Sequence, residues 1–164
     1  MKENQYLRAN KRVFIASAVV FAYITVTVTA ALLVHAGAHT GNMVVQLAAA
    51  IGVLVVSSVV YAAKKTTRTC AVTLVTAMTA GYVVVSLLNS TEGTWAYALP
   101  MIIATMVYLD ERMLMIMNGV VLIVNIVRVC THLHAADPNI LANNVLAVFV
   151  LLLVSYAAIS ITRQ

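Results

Sequence analysis

Hydrophobic residues fill the chain in long runs that are separated by short polar clusters. The separating stretches are HAGAHTGN, AKKTTR, NSTEG, LDER and HLHAADPN. Breaking the chain at these clusters predicts six helical segments, over residues 13–35, 43–63, 69–89, 94–109, 113–131 and 139–161. Runs of about 16 to 25 apolar residues have the length that a helix needs to cross a hydrocarbon core about 30 Å thick. The pattern predicts an all-α integral membrane protein, one six-helix transmembrane bundle spanning residues 1–164.

Composition excludes a soluble domain. Hydrophobic residues make up 63% of the chain and charged residues 9%, with a mean hydropathy of +0.99. The many Val, Ile and Thr residues would favour strands in water, but in lipid only helices and closed barrels satisfy every backbone polar group. Barrel strands would show short alternating segments, which this sequence does not contain. Helices are therefore the predicted elements.

The basic residues predict an orientation for the bundle. Four lie in the N-terminal arm, three in the second connection, one in the fourth connection and one at the C-terminus; only Arg128 lies within a segment. By the positive-inside rule, this places both termini in the cytoplasm of a multi-pass cell-membrane protein. The net charge of +5 then reflects orientation and contact with anionic lipid in the bilayer, and no nucleic-acid partner is expected because no single basic patch forms.

Two sequence features predict how the helices pack. Small residues four apart, at Ala48 and Gly52 and again at Ala77 and Gly81, are typical of close contacts between membrane helices. Pro100 lies in the middle of the fourth segment, where its missing N–H would remove one backbone hydrogen bond. We therefore expect close helix contacts at both small-residue pairs and a kink in the fourth helix.

Polar residues follow one face of the fifth segment, which continues into NIVRVCTHLH. At 100° per residue, Asn118, Asn125, Arg128 and His132 fall within a sector of about 80°. A row of this kind facing lipid would cost several kcal/mol, so it must face the bundle interior or water. Asn118 lies deeper than the others and is expected to bond a neighbouring helix.

Three interpretations of Arg128 remain open from the sequence. Its side chain lies about one turn from the outer end of the segment and could extend to the membrane surface. It could form a structural ion pair with Glu92 or Asp137, the two acidic residues predicted on that side. It could also bind a ligand, because a guanidinium offers a bidentate fork to a carboxylate or phosphate.

All four histidines are predicted on the outer side. His35 and His39 are four residues apart at the end of the first segment, and His132 and His134 follow the fifth. They could be ordinary interfacial residues, a ligand-binding or proton-sensing group, or a site for a divalent metal or a haem held between helices one and five.

Motifs for soluble catalysis are missing from the sequence. It contains no phosphate-binding glycine loop, no CxxC, no HExxH and no GxSxG. No acidic residue is predicted inside a helix, although intramembrane catalysis would ordinarily need one. The two cysteines, Cys70 and Cys130, are predicted at opposite ends of the bundle and therefore unpaired. We expect a protein that is not an enzyme and needs no cofactor.

Several short stretches resemble a known family of membrane regions. They are YLRANKRVFIA near the N-terminus, YLDERMLMIMNG between segments four and five, the continuation VNIVRV, and a last helix that runs directly into ITRQ. Together they resemble the N-terminal six-helix transmembrane region of bacterial signalling receptors of the methyl-accepting chemotaxis type, and of related proteins linked to a diguanylate cyclase. The resemblance implies a sensory input domain that forms a homodimer and whose cytoplasmic output domain is absent from this chain.

The leading hypothesis joins the polar residues to this resemblance. A small ligand, with an anion among the candidates, would bind near the outer ends of the helices, at Arg128, Asn125, His132, His35 and Glu92. Its binding would shift helix six between two arrangements, and helix six would transmit the change to the cytoplasm. The competing hypotheses are a small transporter or channel and a membrane protein that binds a metal or haem.

Overall fold

The structure is a computed structural model that describes residues 3–34, 40–88, 92–108, 110–131 and 138–162. These residues form six α-helices and one short 3-10 segment, Glu92–Tyr97. The α-helices are α1 Glu3–Val34, α2 Thr40–Lys64, α3 Arg68–Leu88, α4 Ala98–Met106, α5 Glu111–Thr131 and α6 Pro138–Thr162. The described part of the chain contains no strand, so the prediction of an all-α bundle is confirmed.

Five of the helices are long and apolar enough to cross a membrane. They are α1, α2, α3, α5 and α6, with the qualifying part of α6 over Leu141–Thr162. Four of these agree with the predicted segments to within a few residues at each end. Helix α1 begins at Glu3, whereas the prediction started the segment at residue 13, because the polar N-terminal arm continues the same helix.

The fourth predicted segment differs most from the structure. It consists of the 3-10 segment followed directly by α4, which has only nine residues. Pro100 is the third residue of α4, in the first turn, where backbone N–H groups have no partner within an α-helix. The predicted position of Pro100 in the middle of an α-helix is therefore wrong, and the helix changes type just before α4.

The helices pack as two groups of three. Helix α1 packs against α2, and both pack against α3. In the second group α4, α5 and α6 contact one another. Contacts of α3 with α5 and of α1 with α4 join the groups, so α3 and α5 lie side by side at the centre of the bundle.

Gly81 marks the closest contact among the first three helices. A Cβ atom built on Gly81 would lie 2.5 Å from Val53 Cγ2 on α2 and 2.7 Å from Phe21 Cε1 on α1. The expected contact at Ala77 and Gly81 is therefore confirmed at Gly81. The other small-residue pair does not mark a contact: Ala48 and Gly52 are exposed, and a Cβ on Gly52 would meet nothing within 4 Å.

Asn10 joins three parts of the chain at one end of the bundle. Its Nδ2 atom donates to the carbonyl oxygens of Lys65, at 2.9 Å, and Thr67, at 3.1 Å. Its Oδ1 atom accepts a hydrogen bond of 2.8 Å from the Tyr108 hydroxyl. The beginning of α1, the α2–α3 turn and the end of α4 therefore lie together.

This end of the bundle, called the basic end below, carries the exposed cations of the described chain. Its exposed basic residues are Arg8, Lys11, Arg12, Lys64, Lys65, Arg68 and Arg112. One ion pair also joins α3 to the start of α5 there, between Arg68 Nη2 and Asp110 Oδ2 at 3.2 Å. The opposite end is formed by the end of α1, the end of α3, the end of α5 and the start of α6.

Candidate functional site

The polar face of α5 turns into the bundle, as its spacing predicts. Asn118, Asn125 and Arg128 expose only 2%, 3% and 4% of their surface. Helical periodicity places them on the same side as Leu114, Val121 and Val124, which are also buried. The alternative in which Arg128 extends to the membrane surface is wrong, because its side chain is enclosed by protein.

Asn125 links α5 to α3 through a buried hydrogen bond. Its Nδ2 atom donates to the Tyr82 hydroxyl at 2.7 Å and to the carbonyl oxygen of Val121 at 2.8 Å. Tyr82 is 1% exposed, so this contact lies in the protein interior. A buried amide needs partners of this kind, because an unsatisfied polar group in a low-dielectric interior costs about 1–3 kcal/mol.

Arg128 lies beside the same pair. It is close enough to the Tyr82 hydroxyl for the two groups to interact electrostatically. Both α3 and α5 begin at the basic end, so they run in the same direction. Ser86 lies one turn beyond Tyr82 and Arg128 lies about one turn beyond Asn125, which brings Ser86 and Arg128 to a similar depth. Tyr82, Ser86, Asn125 and Arg128 are called the α3–α5 polar cluster below.

Helix α6 adds polar residues to the same interior. Asn144 is 5% exposed and Ser155 is 4% exposed. Helix α6 packs antiparallel to α5. Asn144 lies roughly two turns after the start of α6, and Asn125 lies roughly two turns before the end of α5. The two asparagines are therefore at about the same depth. Buried polar residues near the opposite end therefore lie on three helices, α3, α5 and α6.

Two buried polar side chains lack hydrogen-bond partners within the described chain. They are Asn118, at both Nδ2 and Oδ1, and Ser155, at its hydroxyl group. The expectation that Asn118 bonds a neighbouring helix is therefore wrong for the chain by itself. An unpaired amide at this depth lowers the stability of the fold. Polar residues inside membrane helices are by default candidates for function.

Not every predicted site residue belongs to the described part of the chain. His35, His39, His132, His134 and Asp137 lie outside the described residues. Glu92 begins the 3-10 segment, but its side chain also lies outside them. Of the five residues predicted to bind ligand, the structure brings Arg128 and Asn125 together.

Sequence reasoning missed Tyr82 and Ser86, which complete the cluster. Both lie on the buried face of α3, which is otherwise apolar. A tyrosine hydroxyl in the middle of a membrane-length helix was an available signal, because such a hydroxyl needs a partner when buried. The sequence alone could not name Asn125 as that partner.

The described part of the chain contains neither a disulfide nor a group of metal ligands. Cys70 is buried near the basic end and Cys130 is exposed near the opposite end, and neither forms a disulfide, as predicted. Within the residues that the structure describes, no three His, Cys, Asp or Glu side chains form a group that could hold a metal ion.

The fold and the site together define an all-helical bundle whose long helices have the length and composition of membrane spans, with a buried polar cluster between α3 and α5. No family model, curated protein or solved structure matches this chain.

Proposed function

We propose that this chain is the membrane-embedded sensory region of a signalling receptor. In this proposal it crosses the membrane six times with both termini in the cytoplasm, binds a small anionic ligand at the α3–α5 polar cluster and transmits the change through α6. The observation that carries the proposal is the enclosed Arg128 beside the Tyr82–Asn125 hydrogen bond.

Five crossings would be made by the five long helices. The remaining one, fourth in chain order, would be made by the 3-10 segment together with α4. At about 2.0 Å per residue for the former and about 1.5 Å for the latter, the two extend for about 25 Å. This length approaches the hydrocarbon thickness of about 30 Å. The rise per residue is larger in a 3-10 helix than in an α-helix, so these few residues can span most of that thickness.

The orientation rests on the basic end. Exposed lysines and arginines from the start of α1, the α2–α3 turn and the start of α5 gather there. Cytoplasmic connections of membrane proteins carry an excess of such residues. The basic end would therefore face the cytoplasm, and Arg128 would lie near the outer surface.

Ligand recognition would use the charge and the donors of the cluster. A guanidinium in a dry interior attracts a carboxylate or phosphate more strongly than it would in water, since the effective dielectric constant is lower. The Tyr82 hydroxyl and the Asn125 amide lie beside it and would fix the orientation of the ligand. The histidines of the adjoining connections would add donors, and Glu92 would accept a hydrogen bond from a hydroxyl or amine group of the ligand.

Transmission would pass from α5 to α6. The two helices pack together, with Asn144, Ala147, Leu151, Ser155 and Ala158 on the buried face of α6. Helix α6 continues without a break to Thr162 at the basic end. A ligand that draws α5 toward α3 would change the α5–α6 contact, and α6 would carry the displacement across the membrane.

Spin-label distances test this transmission. Labels at Lys11→Cys and Ile161→Cys, in a chain with both native cysteines replaced, would report the position of α6 relative to α1 at the basic end. A panel of small carboxylates and phosphates should include one that changes the distance distribution, and Arg128→Gln should remove the change. A distribution that every member of the panel leaves unaltered, or alters equally in Arg128→Gln, would oppose the proposal.

A small transporter or channel is the second candidate, and Asn118 favours it. Its unpaired amide lies deeper in the bundle than the α3–α5 polar cluster, and Ser155 of α6 also has an unpaired hydroxyl. Substrate pathways commonly place such groups within the membrane. Uptake of small anions into proteoliposomes that depends on Asn118 would favour transport over sensing.

A further inference from the structure

A groove runs along the outside of the bundle between α3 and α5, starting at the basic end. Its volume is about 460 Å³. The apolar part is lined by Val75, Thr79 and Val83 of α3 and by Met113, Ile116 and Val120 of α5. It begins at Arg68, Asp110 and Arg112.

The apolar side chains of α3 and α5 make up most of the wall of this groove, and Thr76 and Thr79 are the two hydroxyl residues among them. Thr79 donates its hydroxyl to the carbonyl oxygen of Val75 at 2.8 Å, so this hydroxyl is satisfied within α3. The body of the groove therefore suits a hydrocarbon chain.

Charge is confined to the mouth of the groove. Arg68 and Asp110 form the ion pair described above, in which the Arg68 side chain remains 70% exposed. Arg112 is exposed, and two lysines lie close by: Lys64, the last residue of α2, and Lys65, in the turn that follows. Because Asp110 accepts from only one of the Arg68 nitrogens, Nη2, the mouth keeps cationic donors for an anion.

A neighbouring groove provides a contrast within the same protein. It lies between α2 and α3, has a volume of about 490 Å³ and is lined by residues such as Gly52, Val56, Thr73 and Ala77. No charged side chain lines it in the described part of the chain. The two grooves are similar in size but differ in the charge at one end.

We propose that the α3–α5 groove binds a phospholipid with an anionic headgroup. One acyl chain lies along α3 and α5, and the headgroup phosphate contacts Arg112 and Arg68. Basic residues next to a membrane helix attract anionic lipid headgroups, and apolar contact with the acyl chain adds to the binding. The α2–α3 groove lacks the charges and does not select between headgroups.

The lipid would also lie close to the α3–α5 polar cluster. Val83 and Val120 line the end of the groove that is farthest from the basic end. Val83 is next to Tyr82 in α3, and Val120 lies about one and a half turns before Asn125 in α5. A bound acyl chain would fill the space between the two helices that the Tyr82–Asn125 bond connects. The lipid site does not depend on the sensory role proposed above.

Photo-crosslinking in nanodiscs tests the site. The probes are phosphatidylglycerol and phosphatidylcholine with the same acyl chains, each carrying a diazirine in one chain. Phosphatidylglycerol should label peptides of α3 and α5 preferentially, whereas phosphatidylcholine should label the α2–α3 and α3–α5 grooves alike. Equal labelling of the two grooves by phosphatidylglycerol would overturn the proposal.

Variants separate a built site from general surface charge. Arg112→Gln should weaken phosphatidylglycerol binding about fivefold, the order expected for one basic side chain at a charged lipid surface. Arg12→Gln removes an exposed charge from the same end but outside the groove, and should have a smaller effect. Equal losses for the two variants would mean that the basic end attracts lipid only as a diffuse charge, and the proposal would fail.

A neutral variant tests the apolar half of the site. Thr79→Phe fills the α3–α5 groove without changing charge and should reduce labelling of α3 and α5 by phosphatidylglycerol. Val59→Phe, on an exposed face of α2 outside both grooves, is its control. Unchanged labelling in a folded Thr79→Phe protein would show that no acyl chain occupies the groove.

Discussion

The Asn125 amide donates to the Tyr82 hydroxyl at 2.7 Å, which makes a buried polar bond between the two central helices, α5 and α3. Neither residue has access to water, since Asn125 is 3% exposed and Tyr82 is 1% exposed. Interhelical bonds of this kind contribute about 0.6 kcal/mol on average in membrane proteins and up to about 1.7 kcal/mol. The bond also fixes the side chains that adjoin Arg128.

Removing the Tyr82 hydroxyl should therefore lower stability modestly. Tyr82→Phe keeps the ring in place but leaves Asn125 with only the Val121 carbonyl as acceptor for Nδ2. We expect a loss of about 1 kcal/mol in the free energy of unfolding, measured by thermal or detergent denaturation of the purified protein. Tyr156→Phe, on an exposed face of α6, is the matched control and should change little.

Asn118 leads to the opposite expectation. Both polar atoms of its amide are buried without a partner in the described chain, which costs about 1–3 kcal/mol. Asn118→Leu, a change to an apolar side chain of similar size, should raise the free energy of unfolding by about 1 kcal/mol or more. A loss of stability would instead show that a bound water or ligand satisfies the amide in the membrane.

Asn10 is the control for that comparison. It too is buried, but it bonds Lys65, Thr67 and Tyr108. Asn10→Leu should destabilise the protein by about 1–3 kcal/mol, because it leaves two carbonyls and a buried hydroxyl with fewer partners. The two asparagine variants should therefore move stability in opposite directions.

Gly81 should tolerate no side chain. An added Cβ would overlap Val53 and Phe21, so Gly81→Ala should destabilise the packing of α1, α2 and α3 by about 1–3 kcal/mol. Gly52→Ala is the matched control, because a Cβ there meets nothing within 4 Å. Alanine is the better helix former by up to about 1 kcal/mol, so this variant should be neutral or slightly stabilising.

The native cysteines test the orientation in the membrane. Cys130 is exposed and lies at the end of α5, near the opposite end of the bundle from the basic residues. A membrane-impermeant maleimide added to intact cells should label Cys130, and Cys130→Ser should abolish the labelling because Cys70 is buried. A reporter at Lys65→Cys in the Cys130→Ser background should react only after permeabilisation. The reverse pattern would place the basic end outside.

Much of the fold could be predicted from the sequence because lipid imposes few choices. Long apolar runs with short polar separators locate α2, α3, α5 and α6, and the polar spacing of α5 predicts its buried face. The 3-10 segment before α4 could not be predicted, because an apolar run does not distinguish a 3-10 helix from an α-helix. Pro100 indicated an irregularity, but only packing against the other helices determines where it occurs.

The candidate site was predictable only on one helix. The 100° rotation per residue places Asn118, Asn125 and Arg128 on one face of α5 without any knowledge of the neighbours. Assigning Tyr82 to the same site requires knowledge of the tertiary contact between α3 and α5, which no local sequence pattern contains. The same holds for Asn10, whose three partners lie 55 to 98 residues away along the chain.

Anion-dependent melting of the purified protein tests whether Arg128 provides the charge that binds a ligand. The probes are small monocarboxylates, dicarboxylates and inorganic phosphate, added singly to the chain in nanodiscs. We predict that at least one of them raises the melting temperature of the unaltered chain and of Arg12→Gln, whose exposed arginine lies at the basic end outside the α3–α5 groove, but not that of Arg128→Gln. An equal rise in Arg128→Gln, or no rise with any of the anions, would contradict the account.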